Sequence, residues 1–144
     1  MLSKILPRGG QRGTEVDLVL SGSLLKDASE TLIYKPGLKV LKFEAVSDGV
    51  TKIRVAIAAD APLGEHPLRI RTSSGISDLR TFYVGLFPTV EEKEPNSNFK
   101  EPQKTALNVT VSGVVLNEDV DYYSVELKKG QRLTAEIEGI RLGA

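Results

Sequence analysis

Hydrophobic and polar residues alternate along most of this chain. Leu18 and Leu20 stand two positions apart in one such run, and Ile53 and Val55 do so in another. A period of two with one polar face is typical of half-buried antiparallel strands. The alternating runs are residues 16–20, 53–57, 68–70 and 133–137.

Turn-forming residues separate these runs, among them Pro36-Gly37, Ser73-Ser74-Gly75 and Lys129-Gly130. Residues 24–31 are the one stretch that could hold a helical turn. Short strands with turns at this spacing are typical of a β-sandwich. The sequence therefore predicts an all-β fold.

The composition changes once, over residues 87–104, which contain three of the seven prolines and a group of acids without alternation. This predicts a linker between a β-sandwich at 1–86 and a β unit at 105–144. The second unit is too short to bury much apolar area. We expect it to be the front part of a larger domain, with docking on the first unit or pairing with a second copy as alternatives. Exposed edges such as 132–138 would favour a strand-exchanged homodimer.

Charge and composition exclude several functions. The 144 residues carry 19 Lys and Arg against 19 Asp and Glu, one histidine and no cysteine. A neutral chain is not expected to bind nucleic acid, and without cysteine there is no disulfide framework or thiol nucleophile. No apolar run is long enough to span a membrane. His66 lies at a predicted turn, without a nucleophile elbow in the chain, so we expect a structural histidine and no enzyme activity.

Two groups of motifs resemble known families. Leu6-Pro7, Gly9-Gly10, residues 13–22 (GTEVDLVLSG), residues 62–72 (PLGEHPLRIRT) and Phe82-Tyr83-Val84 resemble the immunoglobulin-like IPT/TIG domain. This resemblance covers residues 1–86 and implies an immunoglobulin-like sandwich. Tyr34 and Tyr83 are expected to pack within it.

The second group begins with Glu94-Pro95-Asn96-Ser97 and Thr110-Val111-Ser112-Gly113. Asp119-Val120-Asp121-Tyr122-Tyr123 and residues 127–133 (LKKGQRL) follow. These motifs look like the opening half of the bacterial pre-peptidase C-terminal (PPC) domain. That family is a non-catalytic, jelly-roll-like sandwich of large exported proteins, so the resemblance implies an extracellular, cell-surface or periplasmic location.

The PPC resemblance also implies a cofactor, because members in collagenases bind calcium between the matching linker and the acidic loop. Carried onto this chain, the ligands would be Glu92, Glu94, Asn96, Asp119 and Asp121. Calcium prefers six to eight oxygen ligands of these types. Ser97 stands where a calcium-binding member would have an aspartate. The alternative is a solvated linker, with the aspartates capping turns.

The functional expectation is a structural, adhesion or positioning module that contacts other domains of a larger protein. The alternative is a calcium-assisted binding module for polysaccharide or fibrous protein. Tyr122 and Tyr123 point to opposite faces of a predicted strand, so one of them would be exposed for ligand stacking. A hydrolase is disfavoured, because the acids lie in the linker and on solvent faces and do not surround a cleft.

Overall fold

The computed structural model describes residues 1–115, 117 and 119–139, and every regular element in that part of the chain is a β-strand. No helix there has the length and hydropathy needed to cross a membrane. The strands are β1 (Leu2–Leu6), β2 (Gly9–Gln11), β3 (Glu15–Gly22), β4 (Glu30–Ile33), β5 (Leu38–Ser47), β6 (Val50–Ile57), β7 (Gly64–Thr72), β8 (Gly75–Ile76), β9 (Arg80–Gly85), β10 (Thr89–Glu91), β11 (Gln103–Lys104), β12 (Thr110–Ser112) and β13 (Tyr123–Ser124).

The chain divides into two compact units: Met1–Leu86 together with the described residues 138–139, and Phe87–Ile137. In the first unit, one sheet has the order β1-β3-β6-β5. The other has the order β2-β9-β7-β4, with β8 also paired to β7. All pairings in this unit are antiparallel except the parallel pair β2–β9. The arrangement fits a β-sandwich, and the predicted all-β class is confirmed.

One hydrophobic cluster joins the inward faces of the two sheets. Leu18 lies opposite Ile53 in the β3–β6 register, and both are almost fully buried. Leu68 and Phe82 extend the cluster from the other sheet. Each such side chain contributes about 1.5–3 kcal/mol when it leaves water. The period-two pattern over β3, β6 and β7 therefore identified the core of this unit correctly.

Three side chains of the first unit are informative beyond the apolar core. His66 is 0% exposed, and its Nε2 lies 2.7 Å from the carbonyl oxygen of Pro62, which requires the proton on Nε2. Tyr34 is 56% exposed, so the expectation that it packs inside the unit was wrong. The helical turn considered for residues 24–31 does not form: residues 24–29 are turns and irregular chain, in which Leu24 has a positive φ of 59°, and residues 30–31 begin β4.

The second unit is built from two small parallel pairs, β10–β12 and β11–β13. Residues 87–104, predicted as a linker from their composition, hold β10 and β11 within this unit. Every buried hydrophobic side chain in the described part of the chain lies between Leu2 and Val84. The second unit therefore has no apolar core among its described residues, and Asn96 is its one buried side chain there.

The alternating run at 133–137 does not form a strand, so that prediction was wrong. Leu133 and Ile137 are 48% and 94% exposed, and no described strand pairs with this segment. Alternation only gives a segment two distinct faces; a strand also needs a partner for its backbone hydrogen bonds. Strand exchange between two copies through 132–138 stays a prediction.

The parallel pair β2–β9 offers a test of the packing. A Cβ built on Gly9 would lie 2.6 Å from the backbone oxygen of Tyr83, which cannot move without disturbing the ladder. We expect Gly9→Ala to destabilise the first unit by about 1–3 kcal/mol in urea unfolding. Gly49→Ala is the matched control, because its Cβ would meet only the Gly22 oxygen at 3.4 Å. Equal unfolding midpoints for the two variants would contradict the close approach.

Candidate functional site

Three carboxylates of the second unit converge beside its strands. Glu92 follows directly after β10, Glu94 lies two residues further on, and Asp121 comes just before β13. One oxygen from each lies within 4.8 Å of the others. We call Glu92, Glu94 and Asp121 the acidic cluster. Like charges this close repel one another strongly unless donors or a cation offset them.

Glu92 is the member of the cluster with the most hydrogen-bond donors. The backbone N–H of Val114 donates to its Oε2 at 2.9 Å, and Nδ2 of Asn96 donates to its Oε1 at 3.1 Å. The hydroxyl of Tyr123 also donates to Oε1. This last bond is the largest cause that holds the pKa of Glu92 below its ordinary value of 4.5. Burial, followed by the same bond, raises the pKa of Tyr123.

A glycine makes room for this carboxylate. A Cβ built on Gly113 would lie 2.6 Å from Oε2 of Glu92 and 2.8 Å from its Cδ. Any larger residue at this position would therefore displace the Glu92 side chain. The Gly113 backbone forms a recess that the carboxylate fills, and this recess sets where the acidic cluster lies.

Asp121 is the member of the cluster that lacks compensation. It is half-buried, and its Oδ1 is closed to solvent without a hydrogen-bond partner. Removal from water is the main cause that raises the pKa of Asp121, and the charges of Glu92, Asp119 and Glu94 raise it further.

Asn96 is the buried polar residue at the cluster, at 0% exposure. Its backbone N–H donates to Oε2 of Glu94 at 3.0 Å, and its carbonyl oxygen accepts from the N–H of Tyr122 at 3.0 Å. The side-chain Oδ1 is buried without a donor. A buried amide oxygen without a donor is costly, so this atom is an independent sign of a missing partner.

The donor set fits a hard cation. The free oxygens are carboxylate and amide oxygens, which Ca²⁺ prefers, and the set contains no sulfur or imidazole. An open pocket of about 290 Å³ lies along Glu92, Glu94 and Gly113. It has room for the water ligands that would complete a shell of six to eight oxygens.

The structure brings together most, but not all, of the predicted ligands. Glu92, Glu94 and Asp121 converge, with Asn96 beside them. Asp119 is not one of the converging carboxylates, and its Oδ1 accepts a hydrogen bond from Oγ of Ser97 at 3.1 Å.

The two tyrosines have different surroundings. Tyr123 is 40% exposed, but its hydroxyl donates a hydrogen bond to Glu92. Tyr122 meets Phe99 edge to face, with ring centroids 5.8 Å apart and an interplanar angle of 79°. Phe99 is 78% exposed, and sequence reasoning did not select it. An aromatic residue in a polar segment was the available signal.

The raised pKa of Asp121 gives a pH test. A folded-state pKa above the ordinary 3.8 costs stability wherever the carboxyl must ionise, so the cost is absent below 3.8 and complete above the folded pKa. Without added metal, we expect Asp121→Asn to unfold at a higher temperature than the wild type at pH 7. This gap should narrow as the pH falls towards 3.8. Glu126→Asn, at an exposed position of the same unit, should show no such gap. A lower midpoint for Asp121→Asn at pH 7 would contradict the assignment.

Comparison with known proteins adds no relative. A scan against family models finds no match to this chain, and a search of the curated proteins finds none. The IPT/TIG and PPC resemblances are carried by the motif residues quoted for them.

Proposed function

We propose that this chain is a non-catalytic β module of a larger exported protein and that its second unit binds calcium at the acidic cluster. The observation that carries the proposal is the convergence of Glu92, Glu94 and Asp121 beside the buried, donorless Oδ1 of Asn96. Carboxylate and amide oxygens grouped in this way are the ligands that Ca²⁺ prefers. The exported setting follows from the PPC resemblance.

A bound cation would act as a structural tie. Glu92 and Glu94 continue from β10, whereas Asp121 leads into β13, and these strands belong to different pairs. A cation held by both sides would therefore link the two pairs of the second unit. The described part of that unit has no buried apolar side chains, so such a link would supply stability that burial does not.

The reactive groups of the chain support a non-catalytic role. The one histidine, His66, is fully buried in the first unit, and its Nε2 is hydrogen-bonded to the carbonyl oxygen of Pro62. General acid–base chemistry needs a group that reaches its substrate. The two best-placed acids, Glu92 and Asp121, lie against each other and would share a cation.

Calorimetric titration of the full chain with CaCl₂ tests the proposal. We expect saturable binding, and at one hundred times the dissociation constant calcium adds about 2.7 kcal/mol to the stability of the folded state. Unfolding of the second unit should then shift upward by several degrees relative to excess chelator. Asp121→Asn and Glu94→Gln should each weaken calcium binding at least tenfold.

Glu126→Gln is the matched control, because it removes an exposed acid of the same unit from outside the cluster. Magnesium should bind more weakly than calcium, since it demands a tighter octahedral shell. Terbium luminescence gives a second readout, because Tyr123 contacts Glu92 and can transfer energy to an ion there. Absence of heat and of a thermal shift at millimolar calcium would overturn the proposal.

A second candidate function is binding of polysaccharide or fibrous protein through the second unit. The exposed Phe99 ring resting on Tyr122 favours it, because an aromatic surface of this kind can stack on a sugar ring or an apolar chain. Tyr123 is less suited to ligand stacking than the sequence predicts, because its hydroxyl is hydrogen-bonded to Glu92.

Pull-down on insoluble cellulose, chitin and collagen tests the second candidate. We expect Phe99→Ala to abolish retention on the polymer that is bound, and Tyr123→Phe, which keeps its ring, to leave retention unchanged. The control Leu107→Ala removes another exposed apolar side chain of the unit. Retention that survives Phe99→Ala, or no retention on any polymer, would count against this function.

A further inference from the structure

Strand β5 is a long open edge of the first unit. It is the last strand in the order β1-β3-β6-β5, and it pairs with β6 alone among the described strands. It has 10 residues, whereas β1, β2 and β4, the other strands at the ends of the two sheet orders, have 5, 3 and 4. Short edge strands limit pairing between molecules, and a long open edge is available for an added strand.

Two β-bulges limit where this edge can pair. The β5–β6 register shifts between Val40 and Lys42 and again between Ala45 and Ser47. Bulges bend an edge away from an approaching strand, so they disfavour a new ladder along the whole of β5. The stretch Lys42–Ala45 lies between the bulges and keeps a regular register with β6. A partner strand must therefore match this short stretch.

The stretch Lys42–Ala45 has a charged face and an apolar face. Lys42 and Glu44 are exposed, and their side chains form an ion pair of 3.4 Å within the chain. Phe43 stands between them and points to the opposite face, where it lies across from Ile53 and packs against the core. Its ring is only half-buried there. The open edge thus presents two opposite charges and one partly covered aromatic ring.

The sequence around Phe43 is complementary to itself. When two copies pair antiparallel about a two-fold axis at Phe43, Lys42 of each copy lies opposite Glu44 of the other. Residues opposite each other on neighbouring strands have Cβ atoms about 4.5–5.5 Å apart, which is close enough for an ion pair. The paired positions differ by an even number, so the N–H and C=O groups that point away from β6 in one copy meet those of the other.

Neighbouring registers place like charges together. A two-fold axis at Lys42 would set the two ammonium groups opposite each other, and an axis at Glu44 would do the same for the two carboxylates. A parallel pair in equal register would do both. Like charges directly opposite each other destabilise a sheet. The charges of β5 therefore favour an antiparallel pair centred on Phe43.

We propose that two copies of this chain form a symmetric dimer by pairing their β5 strands antiparallel about Phe43. The pairing joins two four-stranded sheets into one continuous sheet. Lys42 of each copy then lies between Glu44 of its own chain and Glu44 of the second copy, and the two Phe43 rings meet on the inner face. The ladder is short, so the dimer belongs to the weak class of interfaces. It lies within the first unit and is independent of calcium binding in the second.

Sedimentation equilibrium of the full chain in excess chelator tests the proposal. From micromolar to millimolar protein, we expect the average mass to rise reversibly from that of the monomer towards that of the dimer. It should rise no further, because a two-fold interface is closed. Lys42→Glu and Glu44→Lys should each weaken dimerisation about tenfold, because each variant sets like charges opposite each other.

Two combinations restore opposite charges across the interface and separate it from an ion pair confined to one chain. The double variant Lys42→Glu/Glu44→Lys should dimerise like the wild type. An equal mixture of the two single variants should form a mixed dimer more tightly than either variant alone, because acids on one copy then face lysines on the other. Lys26→Glu changes an exposed charge elsewhere in the first unit and should leave the dimer unchanged.

Three results would overturn the proposal. The first is a wild-type chain that stays monomeric at millimolar concentration. The second is equal association of the wild type and both single variants, which would place the contact elsewhere, for example at residues 132–138. The third is a mixture of the single variants that associates no better than each alone, since the two-fold register requires this rescue.

Discussion

The second unit is organised around the placement of one carboxylate, that of Glu92. Its two oxygens accept hydrogen bonds from three parts of the unit. The donors are the backbone N–H of Val114, which follows β12, the side-chain amide of Asn96 in the loop after β10, and the hydroxyl of Tyr123 in β13. Among the described residues this unit has no buried apolar side chain, so these charge-assisted bonds carry the role that core packing has in the first unit. The same placement brings Glu94 and Asp121 close enough to repel it. One group therefore both links the segments of the unit and lies at the centre of the cluster for which we propose a cation.

The core strands of the first unit could be predicted from the sequence because they share one pattern of alternation. In β3, β6 and β7, alternate residues are apolar, and the structure buries those residues in a single cluster. The rule failed where partners decide the outcome. Residues 133–137 alternate equally well, but they pair with no described strand. In contrast, β10 and β11 form in a proline-containing stretch without alternation, because β12 and β13 pair with them. Local pattern defines faces, and pairing is a property of the rest of the chain.

The acidic cluster was predicted only in part, and that prediction came from the PPC resemblance more than from the physical chemistry of the residues. Acids spaced along a segment do not by themselves show which of them meet, and Asp119 turns to Ser97 and does not join the cluster. The donorless oxygen of Asn96 could not be foreseen, since it depends on burial and on the orientation of one amide.

The recess at Gly113 has a consequence for how this module can change over evolutionary time. A side chain there and the carboxylate of Glu92 compete for one space, with 2.6 Å between a built Cβ and Oε2. A side chain at position 113 would require the end of the Glu92 side chain to shift, and with it the hydrogen bond from Val114. We therefore expect a glycine at position 113 to accompany an acid at position 92 in chains that keep the proposed cation site.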